Sequence, residues 1–340
     1  MTCISVIIPV YNMRQYLCQC LDSVICQTLK DIEIICINDG STDDSECIID
    51  DFRNRDRRIQ LISQTNQGVA TARNNGILAA KGEFVIFLDP DDYYPDENVL
   101  NDLYFAAVEH QVKICGGSFT EDRGTYITDE FTDINSGYVF QRDELVLYKD
   151  YQFDFGYHRF IYNREMLIEN NIFYPNYERY EDPCFFVHAM VCAEKFYALK
   201  RPTYRYRYGY QNVKWDNRKV YDLLSAMRDI LLISDQFRLY ELKKLEIRRI
   251  NEQFVDIISK SLTSKDVDII KMLFEIEHLS TVNDRLEKGL FPLFIRMIEI
   301  GEEKETQMRL ILNSRSYKLY NKMMNFIPRK LLEFIRNKNM

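Results

Sequence analysis

The chain has 340 residues, enough for one large domain with an appendage or for two ordinary domains, and 46% of them are hydrophobic, as in a protein with a real core. Its formal net charge of −8 argues against a general nucleic-acid binder, which needs a basic footprint. No apolar run reaches the roughly 18–20 residues that span a bilayer. The chain opens on a strand-like run, Ile4-Ser5-Val6-Ile7-Ile8, without a signal-peptide pattern, so a reducing, cytoplasmic setting is expected. The nine cysteines form no C-x-x-C pairs and are joined by no spaced His, which disfavours a zinc site and leaves most of them as small core residues.

Residues 5–8 form a first strand ending at Pro9, and residues 13–27 a helix with Tyr16, Leu17, Cys20, Leu21 and Val24 on one face. Residues 33–37 are a second strand, followed by the turn Asn38-Asp39-Gly40-Ser41 and a helix capped by Asp43 or Asp44. A third strand (59–62), a helix (68–80), an apolar fourth strand (84–88), a helix (97–109) and a fifth strand (112–115) complete the alternation. Strands joined by such helices imply a mainly parallel, doubly wound α/β sheet, with ligands at the carboxyl ends of the strands. Pro9–Asn12, Asn38–Ser41 and Asp89–Asp92 then share one rim.

From 116 to 215 the pattern shifts to short strands and aromatic segments: a hairpin over 126–138, a strand at 159–162, a helix over 184–193 and closing strands at 196–199 and 204–208. Many of the 23 Tyr and 21 Phe cluster here, and core packing is their default role. From 216 to 340 the chain reads as helical, with amphipathic runs at 220–233, 242–262, 266–279 and 293–312. The boundary near 215, and the division of the first part into halves at 115, rest on this change of pattern alone.

Asp89-Pro90-Asp91, with Asp92 directly behind, leaves the end of a buried strand. Carboxylates this close repel, so keeping them ionised calls for a cation. Oxygen ligands select hard ions such as Mg²⁺ or Mn²⁺, which also bridge phosphates. The competing reading is that Asp91 or Asp92 caps a helix begun by Pro95. Around this motif stand Ser5-Val6-Ile7-Ile8-Pro9-Val10-Tyr11-Asn12, Asn38-Asp39-Gly40-Ser41-Thr42-Asp43, Asn66-Gln67-Gly68-Val69-Ala70-Thr71-Ala72-Arg73-Asn74 and Phe87-Leu88-Asp89-Pro90-Asp91-Asp92, in that order. Over roughly residues 3–210 these segments resemble the family 2 glycosyltransferases, inverting enzymes with a GT-A fold, a Rossmann-like sheet.

That resemblance implies a nucleotide-sugar donor, usually a UDP-sugar, with Pro9, Val10, Tyr11 and Asp39 around the nucleoside and Asp39 reading the uracil N3–H. It places Arg73 near the diphosphate or nucleoside, Asp89 on the ribose and Asp91 on the Mn²⁺ or Mg²⁺ ion. Pro90 replaces a small polar residue usual in the family. Inverting transfer needs a base for the acceptor hydroxyl. The family sets it in an acidic pair before a helix, which here is Glu181-Asp182 with Pro183 following, so Asp182 is the expected base and Glu181 a donor or acceptor contact. The same residues also make a good helix start, with Asp182 as N-cap and Pro183 at the first position. Tyr157 and His158 fall where the family lines the sugar pocket; neither His158 nor His188 is expected to bind metal. Gln211-Asn212-Val213-Lys214-Trp215 approximates the Q-x-x-R-W signature of processive synthases, but Lys does not replace the Arg fork.

Residues 315–340 carry seven Lys or Arg against one Glu, interleaved with apolar residues. Such a segment either lies on an anionic membrane surface, holding the protein at the inner membrane face, or docks as a terminal helix. The expected activity is addition of a single sugar to a glycan or lipid-linked glycan in surface polysaccharide synthesis, with no nucleic-acid partner. The rivals are a catalytically silent nucleotide- or glycan-binding subunit and a sugar-phosphate nucleotidyltransferase, whose Gly-rich basic loop residues 10–15 lack.

Overall fold

The computed structural model describes residues 2–131, 133–209, 213–262, 266–281 and 293. Two compact units are present: Met1–Lys214 with Asp229–Leu245, and Trp215–Arg228 with Glu246–Met340.

The first unit opens with β1 (Ile4–Val10), α1 (Leu17–Ile25), β2 (Ile32–Asn38), α2 (Ser45–Arg55), β3 (Ile59–Ser63), α3 (Val69–Ala79), β4 (Phe84–Phe87), α4 (Val99–Glu109) and β5 (Ile114–Asp122). It continues with β6 (Ile127–Thr128), β7 (Glu144–Leu147), α5 (Tyr148–Tyr151), β8 (Phe160–Asn163), α6 (Arg164–Glu169), α7 (Glu181–Ala193) and β9 (Lys195–Arg207). One sheet runs in the order β3-β2-β1-β4-β8-β5-β9-β7, with β6 paired to β5. Strands β1 to β4 are mutually parallel, β8 is antiparallel to β4 and β5, and β9 is parallel to β5. This is the expected α/β, mainly parallel sheet.

Side chains alternate across each strand. Ile4, Val6, Ile8 and Val10 of β1 join Ile34, Cys36, Phe84, Ile86 and Leu88 in a core closed by Leu17, Cys20, Leu21 and Val24 of α1, Ile49 and Phe52 of α2, and Leu100 and Leu103 of α4. The intervening residues face the other way. There Phe87 is ringed by Tyr157, Tyr162, Tyr174 and Phe185, at centroid distances of 5.9, 6.2, 5.2 and 5.4 Å. Ile7, on the same side, lies against α3 so closely that a Cβ on Gly76 would come 2.3 Å from its Cγ2.

Several boundaries depart from the sequence expectations. β1 runs through Pro9 to Val10, because its ladder with β4 ends at Ile7 and no donor is asked of Pro9 on that side. The closing strands at 196–199 and 204–208 are one strand, β9, with a register shift where Gly117 pairs with Leu199 and Ser118 with Pro202; a bulge accommodates the proline. In place of a full hairpin over 126–138, only β6 returns to β5, and Asp133–Tyr138 is a 3-10 turn. Asp44 precedes α2 without capping it through its side chain; Asp43 instead accepts the amides of Ser45 and Arg14 at 3.0 and 3.1 Å.

After β9 come α8 (Asn217–Phe237), α9 (Tyr240–Glu252), α10 (Val255–Leu262) and α11 (Val267–Thr281). The run at 242–262 is thus split. In the second unit Arg249 and Glu246 form a fully buried ion pair at 3.0 Å, and the Asn217 amide donates to Asp266. Residues 211–212 of the Q-x-x-R-W near-match, the run at 293–312 apart from Leu293, and the basic stretch 315–340 lie outside the described residues. Among the described residues no helix is long and apolar enough to cross a membrane.

Gly76 is where α3 closes on β1, against the fully buried Ile7. Gly76→Ala is expected to cost about 1–3 kcal/mol through overpacking. Urea unfolding of the two proteins measures it; equal midpoints would show that α3 lifts off the sheet without penalty.

Candidate active site

Because β1, β2 and β4 are parallel, their carboxyl ends open onto one rim. Tyr11, just past β1, is 45% exposed there, whereas the Pro9 and Val10 side chains are buried. The Val10 carbonyl accepts the Asp39 amide at 2.8 Å, tying the two strand ends together. Asn12 turns in a left-handed conformation (φ 55°), and its side chain accepts the Thr42 amide at 2.8 Å. An open hollow of about 550 Å³ follows, lined by Asn12, Met13, Arg14, Gln15, Tyr16 and Asp43.

The Asp39 carboxylate is buried and collects three donors from the loop before α3: the Gln64 side-chain amide and the Gln67 amide on Oδ1, both at 2.8 Å, and the Gly68 amide on Oδ2 at 2.9 Å. A carboxylate offers about four lone-pair positions, so these bonds leave room for one donor from outside.

The three aspartates after β4 differ sharply. Asp89 accepts Arg73 Nη2 at 2.9 Å and the Tyr157 hydroxyl at 3.3 and 3.4 Å. Burial works against its charge, but the Arg73 guanidinium beside it holds the carboxyl below the usual carboxylate range. Asp92 turns inward, accepting the Tyr204 hydroxyl at 2.6 Å and the Arg207 amide at 2.7 Å. Burial, then the charges of Asp91 and Asp89, push it well above that range. Asp91 lies between them, 5% exposed, and its carbonyl accepts Arg207 Nε at 2.9 Å. The capping reading of Asp91 and Asp92 fails, since α4 starts only at Val99, after Asn98, and Asp92 is spent on β9.

Arg73, the fifth residue of α3, is 5% exposed. Nη1 donates to Glu181 Oε1 at 2.8 Å while Nη2 holds Asp89, and the guanidinium carbon lies 5.0 and 5.2 Å from the Tyr157 and Tyr174 ring centres. The Asn74 side chain clamps both backbone groups of Tyr174 at 2.9 Å, and Tyr174 stacks on Phe185 of α7 at 4.1 Å. Arg73 therefore meets Asp89, Tyr157 and Glu181, three of the residues singled out from sequence, in one buried cluster.

Glu181 opens α7 after a left-handed Tyr180 (φ 69°), so Asp182 is the second residue of the helix and not its N-cap. Asp182 is partly exposed. Burial, and then the adjacent Glu181 charge, raise its carboxyl to about 7, against the pull of Arg73 and Arg179. The His158 ring lies 3.8 Å from that of Tyr204 and 5.5 Å from that of Phe119. Burial lowers its imidazole to about 3, and neither ring nitrogen makes a hydrogen bond among the described residues. His188, on α7, is exposed.

Sequence reasoning missed Tyr174, Tyr204 and Arg207. The alternation in Thr203-Tyr204-Arg205-Tyr206-Arg207 marks a strand, but nothing local says that this strand ends against Asp91 and Asp92.

Among the described residues no three His, Cys, Asp or Glu side chains gather into a metal cage. Asp89 is engaged by Arg73 and Asp92 by Tyr204, and a hard divalent ion at such a rim typically draws several of its ligands from water and phosphate.

Residues 5–170 match the model of glycosyl transferase family 2. The uncharacterized glycosyltransferase EpsJ of Bacillus subtilis (strain 168) is 35% identical over 212 residues, 60% of this chain and 60% of that protein. The poly(ribitol-phosphate) beta-glucosyltransferase of Bacillus spizizenii is 29% identical over 279 residues, 77% of this chain and 42% of that protein. The chain thus spans less than two thirds of the length of either relative. The crystal structure of S. aureus TarS 1-349 in complex with UDP superposes with a TM-score of 0.68 at 20% identity, covering 87% of this chain and 88% of that one, a likeness of fold.

Truncating Asp39 to Ala strips the Gln67 and Gly68 amides of their acceptor, at an expected cost of about 1–3 kcal/mol in stability. Calorimetric melting of the Asp39→Ala protein checks this, and an unchanged Tm would mean that water replaces the carboxylate without loss.

Proposed function

The chain belongs to glycosyl transferase family 2 through residues 5–170, and from that we propose that it transfers one sugar, with inversion, from a UDP-sugar to a hydroxyl of a glycan or lipid-linked glycan acceptor. The observation that carries this reading is Asp182. It is a partly exposed carboxyl with a pKa of about 7, held next to a residue that is ion-paired into the Asp89 cluster. A general base works best with a pKa near the operating pH.

In this reading residues 1–215 are the catalytic domain and residues 216–340 a helical region. Pro9, Val10 and Tyr11 border the nucleoside, and Asp39 takes the uracil N3–H in its remaining acceptor position. The UDP complex of the TarS fold relative supports a uridine donor. Asp89 meets the ribose, Arg73 holds the donor side in place, and Glu181, Tyr157 and His158 border the sugar. Asp91 would hold Mn²⁺ or Mg²⁺, which when bound supplies positive charge to the departing nucleoside diphosphate. Asp182 receives the acceptor proton as the hydroxyl attacks. The named polymer of the poly(ribitol-phosphate) glucosyltransferase supports a role in surface polysaccharide synthesis.

Release of UDP from UDP-sugars, measured with and without Mn²⁺ or Mg²⁺, tests this. Asp91→Ala should abolish metal-dependent release, and Asp182→Asn should lower it about 10²–10⁴-fold. Asp182 works deprotonated and its carboxyl is raised to about 7, so the rate should climb with pH through that value and plateau above it. A rate independent of pH from 5 to 8, or an active Asp182→Asn protein, would remove Asp182 as the base.

We also propose that the seven cations of residues 315–340 bring the protein to an anionic membrane surface, where a lipid-linked acceptor resides. Flotation with anionic vesicles should recover the full chain in excess of a chain ending at Asn313; equal recovery ends the idea.

A further inference from the structure

Two adjacent carboxyls open α7, and either could act on an acceptor proton. What separates them is a single cation from another part of the chain. Arg73 gives one amino group to Glu181 at 2.8 Å and the other to Asp89 at 2.9 Å, and the Tyr157 and Tyr174 rings stand about 5 Å from its guanidinium carbon. Glu181 is 7% exposed, while Asp182 next to it is partly open. The aromatic wall beside the fork is itself held in place. Asn74, its neighbour on α3, clamps Tyr174, and Tyr174 stacks on Phe185 one turn into α7.

We propose that Arg73 is a positioning residue that divides the labour within the acidic pair, fixing Glu181 as the ion-paired carboxylate and leaving Asp182 as the member that takes up a proton. This rests on the reading of Asp182 as the base and adds how that base is chosen. Arg73 and Asp89 compensate each other, so Glu181 and Asp182 together bring more negative charge than the enclosed cluster neutralises. The carboxyl without a guanidinium contact is the one that yields, as in other carboxyl pairs at close range. The groups that face Asp182 are Glu181 on its own helix, Arg73 on α3, Arg179 just before α7, and the hydroxyls of Tyr157, Tyr162 and Tyr174. Of these, Arg73 is the cation that also grips its neighbour.

The test follows the carboxyl itself, in protein without donor, acceptor or metal. With aspartate carboxyls labelled with ¹³C, Asp182 is assigned as the resonance lost in Asp182→Asn, and its midpoint is read by NMR titration. In the wild type it should lie near 7. Arg73→Gln removes the charge that opposes protonation and should raise the midpoint by about one pH unit or more. Arg73→Lys should recover part of that shift. Glu181→Gln keeps Arg73 but removes the neighbouring charge, and it should lower the midpoint by a similar amount.

An Asp182 midpoint that Arg73→Gln leaves in place overturns the proposal. If the Arg73 variants do not fold, Glu181→Gln decides: an unmoved midpoint means that Glu181 is not the charged member, and the division of roles is wrong. UDP release by Asp182→Asn is a separate measurement. Full activity there removes the catalytic reading whatever the titrations give, while lost activity with an unmoved midpoint removes only the role of Arg73.

Discussion

The ion-pair bridge made by Arg73 is the constraint on which the rest of the site depends. Its two carboxylate partners lie 16 and 108 residues away in sequence, at a strand end and at the first turn of a helix. All three groups are largely withdrawn from water, so none is stable without the others. Removing one member of such a buried set costs on the order of 3–5 kcal/mol, mostly because a charge is left uncompensated. The bridge therefore welds the strand end that carries Asp89 to the helix that carries Asp182. Any small rotation of α7 would be resisted by the full cost of exposing Arg73 to an apolar, aromatic wall.

Strand alternation determines which residues reach this bridge. Ile86 and Leu88 point into the core under α1 and α4, while Phe87 points to the opposite side and into the aromatic cluster. Continuing the same period, Asp89 emerges on the side of Phe87, where α3 and α7 lie. One residue more or fewer in β4 would turn Asp89 away from Arg73. Gly76 serves the same geometry from the other direction, since only a residue without a side chain lets α3 come down on Ile7.

The parallel half of the fold was legible because each of its elements carries a local signal. β-branched runs, turns such as Asn38-Asp39-Gly40 and amphipathic helices fix β1 to α4 to within a few residues. The rim followed from the general rule for such sheets. The second half was less legible because its order comes from pairings that no local pattern encodes. β8 inserts between β4 and β5, and β9 continues through a proline by means of a bulge. Asp182 could be found as part of an acidic pair, but its place in the helix depended on the left-handed turn at Tyr180, which a tyrosine does not announce. The motif around Arg73 points to the right neighbourhood. That its guanidinium also reaches Glu181, 108 residues on, and so bridges two carboxylates inside the protein, required the fold.

Three carboxyls of the site are chemically alike and are made different by their surroundings. Asp89 is kept low by Arg73, Asp92 is driven high by burial and by two like charges, and Asp182 sits near 7. Separation of this kind is how one set of acidic groups comes to hold distinct roles. The position of Asp182 at the start of α7 could be taken as the cause, since a helix N-terminus favours a negative charge. The magnitudes decide otherwise. For a partly buried group that effect reaches about 2 kcal/mol at most, and one pKa unit corresponds to about 1.36 kcal/mol, so the helix end could lower Asp182 by about 1.5 units at most. The carboxyl instead is raised from its ordinary value of 3.8 to about 7, in the opposite direction. Burial and the charge of Glu181 outweigh the helix, so the helix supplies orientation while the surrounding charges determine where the proton resides.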